Sequence, residues 1–182
     1  MSIGARSVCG IGVCALLLMA GCGRKDEPAA STSGPATGAP AVAPAAPPLT
    51  PGASNNLKKN DGAPVYNFDW MGPVSYPAIQ KSVQISGDVE NSVNGWAMDR
   101  SKKMPASGVD VVIDGVPYAA KYGIARIDVA KHFDKPEYLK SGYLLMLAPH
   151  QLTKGPHALA IRVIANDGKS YNEGPVVHFT VN

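Results

Sequence analysis

Charge is scarce in this chain of 182 residues. Asp, Glu, Lys and Arg make up 17% of it, against about 25% in an ordinary soluble protein, and the formal net charge is only +3. Because neutralising many phosphates requires a basic stripe, this balance argues against a nucleic-acid partner. Cysteine is confined to Cys9, Cys14 and Cys22, so a disulfide-stapled domain is excluded.

The sequence also lacks the motifs of common catalytic and metal sites. It contains neither Gly-x-Ser-x-Gly nor Ser-x-x-Lys, and no glycine-rich phosphate loop follows a strand and opens a helix. The four histidines do not have the spacing of a zinc pair. We therefore predict no catalytic residue, no cofactor and no metal site. Paired carboxylates for glycoside hydrolysis leave no sequence signature, so the sequence alone does not exclude them.

Glycine and proline are abundant, with 19 and 16 residues respectively. Seven of the prolines lie among the 25 residues from Pro28 to Gly52, where 23 residues are Pro, Ala, Gly, Ser or Thr and none is charged. Such a segment has too little apolar bulk to offset the entropy cost of ordering it, and proline favours extended conformations. We predict that residues 22–64 form a disordered tether.

The first residues have the pattern of an export signal. Arg6 precedes an uninterrupted apolar or small run from Val8 to Met19. Twelve helical residues span about 18 Å, whereas the hydrocarbon core of a membrane is about 30 Å thick. The run is therefore too short for a stable membrane span, and we predict that residues 1–21 are a signal peptide.

The end of this run resembles the lipobox of bacterial lipoproteins, in the sequence Met19-Ala20-Gly21-Cys22. That resemblance implies that the Cys22 thiol receives diacylglycerol and that its freed amine is then acylated. Several acyl chains on one residue anchor a protein durably. Gly23 follows, rather than the Asp that retains enterobacterial lipoproteins at the inner membrane. The expected location is thus the cell envelope, at the outer membrane.

An aromatic segment follows the predicted tether over residues 65–82. Tyr66, Phe68 and Trp70 alternate with polar residues, and Tyr76 lies close behind them. This period of two predicts an extended segment with one aromatic face. The segment either completes the core of the following domain or is a recognition strip, and the cost of exposing aromatic rings favours the core.

The remaining 100 residues, 83–182, have the signals of an all-β domain with one short helix. Predicted strands lie at residues 83–86, 93–98, 109–113, 116–121, 143–147, 157–165 and 176–181. Asp114-Gly115 and Asn166-Asp167-Gly168 predict hairpin turns, and the apolar run at 143–147 predicts a strand covered on both sides. The helix is expected from Asp128, as N-cap, to Phe133, which would point towards the core.

Residues 83–182 resemble an immunoglobulin-like accessory domain of bacterial envelope and secreted proteins. The motifs that carry the resemblance are Gly95-Trp96-Ala97-x-Asp99, Val111-x-Ile113-Asp114-Gly115, Tyr122-Gly123-x-x-Arg126-x-Asp128-Val129, Ser141-Gly142-Tyr143 and Gly155-x-His157-x-Leu159. The chain departs from the pattern at Ile127, where Pro is expected. The resemblance implies an immunoglobulin-like β-sandwich that is not a catalyst.

The same motifs have structural interpretations. Trp96 is expected in the core, as in other sandwiches. Arg126 and Asp128 are expected to pair and to clamp the helix to a neighbouring strand, although Arg126 could instead recognise an acidic ligand. Gly123 and Gly142 are expected at positive φ or in tight packing.

These features together predict a non-enzymatic, membrane-anchored lipoprotein that binds or scaffolds an envelope protein. The alternative is a module that binds carbohydrate or peptidoglycan by stacking aromatic rings on sugars, with Trp70, Tyr118, Tyr122 and Tyr171 as candidates. A coplanar, exposed row of these rings would favour the glycan, whereas buried rings would favour a protein partner or a scaffold.

Overall fold

A computed structural model describes residues 46–99, 101–102 and 104–182. The predicted signal peptide, the predicted lipidation site Cys22 and the predicted tether up to residue 45 lie outside this part of the chain. Between residues 46 and 182, leaving aside Arg100 and Lys103, no helix is both long enough and apolar enough to cross a membrane.

The described part of the chain is built from β-strands and one α-helix, as predicted. The strands are β1 (Lys58–Lys59), β2 (Val65–Met71), β3 (Val74–Ser75), β4 (Gln84–Ile85), β5 (Asn91–Asp99), β6 (Met104–Pro105), β7 (Gly108–Ile113), β8 (Val116–Ala119), β9 (Lys121–Ile124), β10 (Gly142–Leu147), β11 (Gly155–Ile164), β12 (Ser170–Glu173) and β13 (Val177–Val181). The helix is α1 (Ile127–His132), and 3₁₀ turns lie at Ser54–Asn56, Pro77–Ile79 and Pro136–Lys140.

These strands form two sheets. In the seven-stranded sheet, β11 pairs with β7 along one edge and with β12 and then β13 along the other. β8 continues the sheet beyond β7, while β1 and β4 add in parallel to β12 and β13. The six-stranded sheet has the order β3-β2-β5-β10-β9, and β6 pairs with the end of β5.

The core lies between the two sheets and contains residues of both. Its largest contributors are Phe68, Met71, Val93, Tyr143, Leu145 and Leu147 from the six-stranded sheet and Val109, Val111, Ile113, Leu159, Ile161, Val163 and Phe179 from the seven-stranded sheet. Most of them recur at every second position, because alternate side chains of a strand point to the same face. The predicted all-β architecture with one short helix is therefore confirmed.

The turn predicted at Asp114-Gly115 joins β7 to β8. Both residues have positive φ, 49° and 83°, and Ile113 pairs with Val116 across the two-residue loop. The single return strand predicted for residues 116–121 is wrong, however. β8 ends at Ala119 in the seven-stranded sheet, and β9 begins at Lys121 in the other sheet, so the chain crosses between sheets at this point.

The prediction that the tether extends to residue 64 is also wrong. Residues 50–61, here called the strap, lie against the seven-stranded sheet. The backbone N–H of Gly52 donates to Pro117, and the fully buried Ser54 donates its N–H to the carboxylate of Asp110 at 2.8 Å. β1 then pairs with β12. The strap is ordered by these backbone hydrogen bonds rather than by apolar bulk, which its composition lacks.

Candidate functional site

The strap covers part of the outer face of the seven-stranded sheet, over β7 and the adjoining residues of β8, β11 and β12. Val109 and Val111 point into the core, so Asp110 between them points outwards, yet it is only 2% exposed because the strap lies over it. Arg162, directly opposite Asp110 on β11, donates to Ser54 and Asn55 of the strap. In this region the sheet therefore packs against the core on one face and against the strap on the other.

Among residues 46–99, 101–102 and 104–182, none covers the outer face of the six-stranded sheet near its centre in this way. Trp70, on β2, is 47% exposed, and Met146, on β10, is 41% exposed. Asn94 of β5 pairs with Trp70 on one side and with Leu144 on the other, while Ser92 pairs with Met146. Since neighbouring strands lie about 4.8 Å apart, these five side chains form one contiguous surface, here called the open face.

A β-bulge explains why Trp70 is on this face. Phe68 pairs with Gly95 and Trp70 pairs with Asn94, which leaves Asp69 as an extra residue in β2. The extra residue reverses the alternation, so that Phe68 is buried in the core while Trp70 points outwards. The predicted single aromatic face is therefore wrong for Trp70, although the segment does complete the sheet and its core.

The inserted Asp69 binds Arg126. The Arg126 guanidinium donates from Nη1 to Oδ2 of Asp69 at 2.6 Å, and from Nε and Nη2 to the two carboxylate oxygens of Asp128 at 2.9 and 2.6 Å. The side chains of Arg126 and Asp69 are 21% and 15% exposed. Arg126 and Asp128, which were predicted to pair, are thus in contact. Through its bond to Asp69, Arg126 also connects the helical segment to β2.

The electrostatics of this cluster follow from its hydrogen bonds. The hydrogen bond from Arg126 lowers the pKa of Asp128 to about 2 and outweighs the opposing effect of burial. The hydrogen bond to Asp128 and the contacts with Asp69 in turn raise the pKa of Arg126, so that its charge is permanent. Asp128 is not the predicted N-cap, because α1 begins at Ile127 after Arg126, and the carboxylate binds the guanidinium instead.

Trp96 is not the core tryptophan that was expected. On β5 the residues Val93, Gly95 and Ala97 face the core, so Trp96 points to the outer side, where it packs against a small second cluster. That cluster contains Met98, Val129 and Tyr138. Trp96 therefore lies beneath α1 rather than between the sheets.

Phe133 forms the other wall of the same region. It was expected to point into the core, but it is 40% exposed, and its ring centroid lies 5.7 Å from that of Trp96 in an edge-to-face arrangement. Beside the two rings is an open cleft of about 350 Å³, here called the aromatic cleft, lined by Trp96, Asp128, Val129, His132 and Phe133. The cleft thus combines aromatic walls with a carboxylate at its rim.

The four candidates for sugar stacking do not form an exposed row. Tyr171 is buried beneath the Arg162 guanidinium, which lies 4.8 Å from the centroid of its ring. Tyr118 and Tyr122 are half-buried against the core, and the Tyr122 hydroxyl donates to Ala97, while burial raises its pKa to about 12. Only Trp70 among the four is exposed.

Sequence patterns missed the apolar side chains that flank Trp70. The run at residues 143–147 predicted a strand covered on both sides, which is wrong for Met146. A continuous apolar run is compatible with a strand that is buried on both faces and also with a strand that has one exposed apolar face. The strap lies on the other sheet, and the sequence of residues 143–147 does not show this. Phe133 was predicted to point towards the core, but it lies beside Trp96 on the outer side of the sheet.

Across the part of the chain that the structure describes, no group of three or more His, Cys, Asp or Glu side chains could hold a metal ion. Comparison with protein-family models, curated proteins and solved structures finds no match for this chain. The geometry of the open face and of the aromatic cleft is therefore the basis for a functional assignment.

Proposed function

We propose that this chain is a non-enzymatic lipoprotein of the bacterial envelope, whose immunoglobulin-like sandwich binds another envelope protein through the open face. The lipobox-like sequence ending at Cys22 supports the lipid anchor, and Gly23 supports the outer membrane. Two mostly antiparallel sheets packed around one core within a single unit support the fold assignment. The tether in this proposal ends before Leu49, which packs against the core, and the strap follows at residue 50.

The observation that carries the binding proposal is the asymmetry between the two outer sheet faces. One is partly covered by the strap, whereas the other presents Trp70, Leu144 and Met146 around the polar residues Asn94 and Ser92. Trp and Met are enriched at the centres of protein interfaces, where a few large side chains supply most of the binding energy. Glycan platforms instead need a row of exposed rings, and the four stacking candidates do not form one.

Site-specific photo-crosslinking in intact cells tests this proposal. A photoreactive amino acid at Met146 should give one dominant protein adduct, and Trp70→Ala should reduce that adduct strongly while expression and membrane association stay unchanged. The matched control is the same probe at Val116, which is 49% exposed but belongs to the other sheet. Identical adducts at both positions, or retention of a glycan by the open face in place of a protein, would refute the assignment.

A further inference from the structure

We propose that the aromatic cleft receives a basic side chain, Lys or Arg, of the protein partner. This inference rests on the proposed function, because it assumes that the partner is a protein. It adds a second contact beside the open face and states the chemistry of that contact. The cleft lies at the end of the same outer sheet face, since Trp96 is two residues from Asn94 along β5.

The walls of the cleft suit the stem of such a side chain. Trp96 and Phe133 contribute rings to its wall, and Val129 adds an aliphatic side chain. Tyr138 supports Phe133 from behind, with the two ring centroids 5.6 Å apart. Aromatic faces attract ammonium and guanidinium groups through their quadrupole, and the methylene groups of Lys and Arg cover apolar surface well.

The charge at the rim supplies the second part of the recognition. Asp69 and Asp128 share the single positive charge of Arg126, so this three-residue cluster has a net charge of −1. The Asp128 side chain is 65% exposed and lines the cleft. Arg126 donates to both oxygens of Asp128, and the backbone N–H groups of Asp128 and Val129 also interact with this carboxylate, yet its exposure leaves the negative charge accessible to a cation from the partner.

The other charges of α1 do not neutralise the cleft. Lys131, Asp134 and Lys135 line a separate surface depression on the other side of the helix, together with Ile127. His132 is the only titratable side chain besides Asp128 among the residues that line the aromatic cleft. Because Arg126 holds Asp128 at both oxygens, the carboxylate is already oriented before the partner arrives.

The test uses the two tryptophans of the chain, which give two indole N–H signals in an NMR spectrum of the ¹⁵N-labelled full-length protein in detergent micelles. The probes are acetyl-Ala-Lys-Ala-amide and the same peptide with norleucine in place of lysine. We expect the lysine peptide to shift the Trp96 signal saturably and the norleucine peptide to bind at least about threefold more weakly.

Three variants make the test specific. Asp128→Asn should weaken the lysine peptide about threefold or more, whereas Asp134→Asn, which removes a carboxylate from the other side of the same helical segment, should leave its affinity unchanged. Phe133→Leu keeps apolar bulk but removes the ring, so it should also weaken binding. Dispersed spectra of all three variants establish that they are folded.

Three results would overturn the inference: an unmoved Trp96 signal, equal affinity for both peptides, or a shift of Trp96 by N-acetylglucosamine in place of the lysine peptide. The last result would assign the cleft to a sugar. Failure here is distinguishable from failure of the proposed function, because photo-crosslinking at Met146 reports on the open face and does not depend on the cleft.

Discussion

His157 and Asp114 form a 2.6 Å contact between the imidazole Nδ1 and the carboxylate Oδ2 at one end of the sandwich. The other ring nitrogen, Nε2, lies 2.8 Å from the carbonyl oxygen of Thr153. Both neighbours are acceptors, so both ring nitrogens must carry a proton for both hydrogen bonds to form. The ring also stacks on Phe179 of the core. The arrangement therefore requires a charged imidazolium.

The free energy of unfolding should depend on pH through this residue. Burial alone would lower the pKa of His157, but the hydrogen bonds that its ring donates to Asp114 and to the Thr153 carbonyl outweigh burial, and the pKa is raised above 6.5. A raised folded-state pKa gives stability that is complete below the unfolded-state value and is lost as pH rises through the folded-state value. Urea unfolding between pH 6 and 9 should therefore show stability decreasing with pH.

Two variants assign this dependence to the pair. Asp114→Asn keeps a residue that tolerates the positive φ of the turn, 49°, and should flatten the pH dependence above pH 6.5. His178→Gln, at an exposed position of β13, should leave it unchanged. A slope that persists in Asp114→Asn would show that other groups cause it.

The strap should contribute measurably to stability, which Gly52→Ala tests. A Cβ at residue 52 would lie 2.5 Å from Oδ2 of Asp110, and that buried carboxylate can move only by giving up its hydrogen bond from Ser54. We expect a loss of about 1–3 kcal/mol in urea unfolding. The control is Gly108→Ala, whose Cβ would have its nearest neighbour at 3.6 Å and which should change stability by less than about 0.5 kcal/mol. Equal changes in the free energy of unfolding of the two variants would mean that the contact between the strap and Asp110 does not stabilise the fold.

The strands with strong alternation could be predicted from the sequence. β11 is an example, because Leu159, Ile161 and Val163 are buried at every second position and lie near their expected bounds. The tight turn at Asp114-Gly115 could be predicted for a similarly local reason, since both residues tolerate the positive φ that a two-residue hairpin requires. Local backbone chemistry and a period of two were sufficient in these regions.

The strap and the open face could not be predicted in this way. The strap has the composition of a linker, and its order comes from hydrogen bonds to residues far away in the chain, such as Asp110. The single inserted residue Asp69 places Trp70 outside, and no local pattern marks a bulge. Trp96 was wrongly predicted to lie in the core. Its neighbour Gly95 faces the core instead, opposite Tyr143, and a Cβ at residue 95 would lie 2.7 Å from the tyrosine hydroxyl.

The lipid anchor makes a separate prediction. Cys22→Ser should leave a precursor that is neither lipidated nor cleaved at this site. Its intact mass should therefore be that of the unprocessed, unlipidated chain, and its detergent-phase partitioning should differ from that of the lipid-anchored protein. Cys14→Ser changes a cysteine of the same leader that the proposal does not use, so its processing should be normal. Unchanged mass and partitioning of Cys22→Ser would refute the anchor.

Arg126 should stabilise the fold more than an exposed ion pair of the same region does. Arg126→Ala leaves Asp69, whose side chain is 15% exposed, without its cationic partner and also removes the connection between β2 and the segment that leads into α1. We expect a loss of about 1–3 kcal/mol. Lys135→Ala breaks an exposed pair with Glu137 at 3.5 Å and should cost at most about 1 kcal/mol. Urea unfolding of both variants at pH 7 compares them directly. Similar losses would show that Arg126 acts as an ordinary surface charge, and its role in orienting Asp128 towards the aromatic cleft would then lose its structural basis.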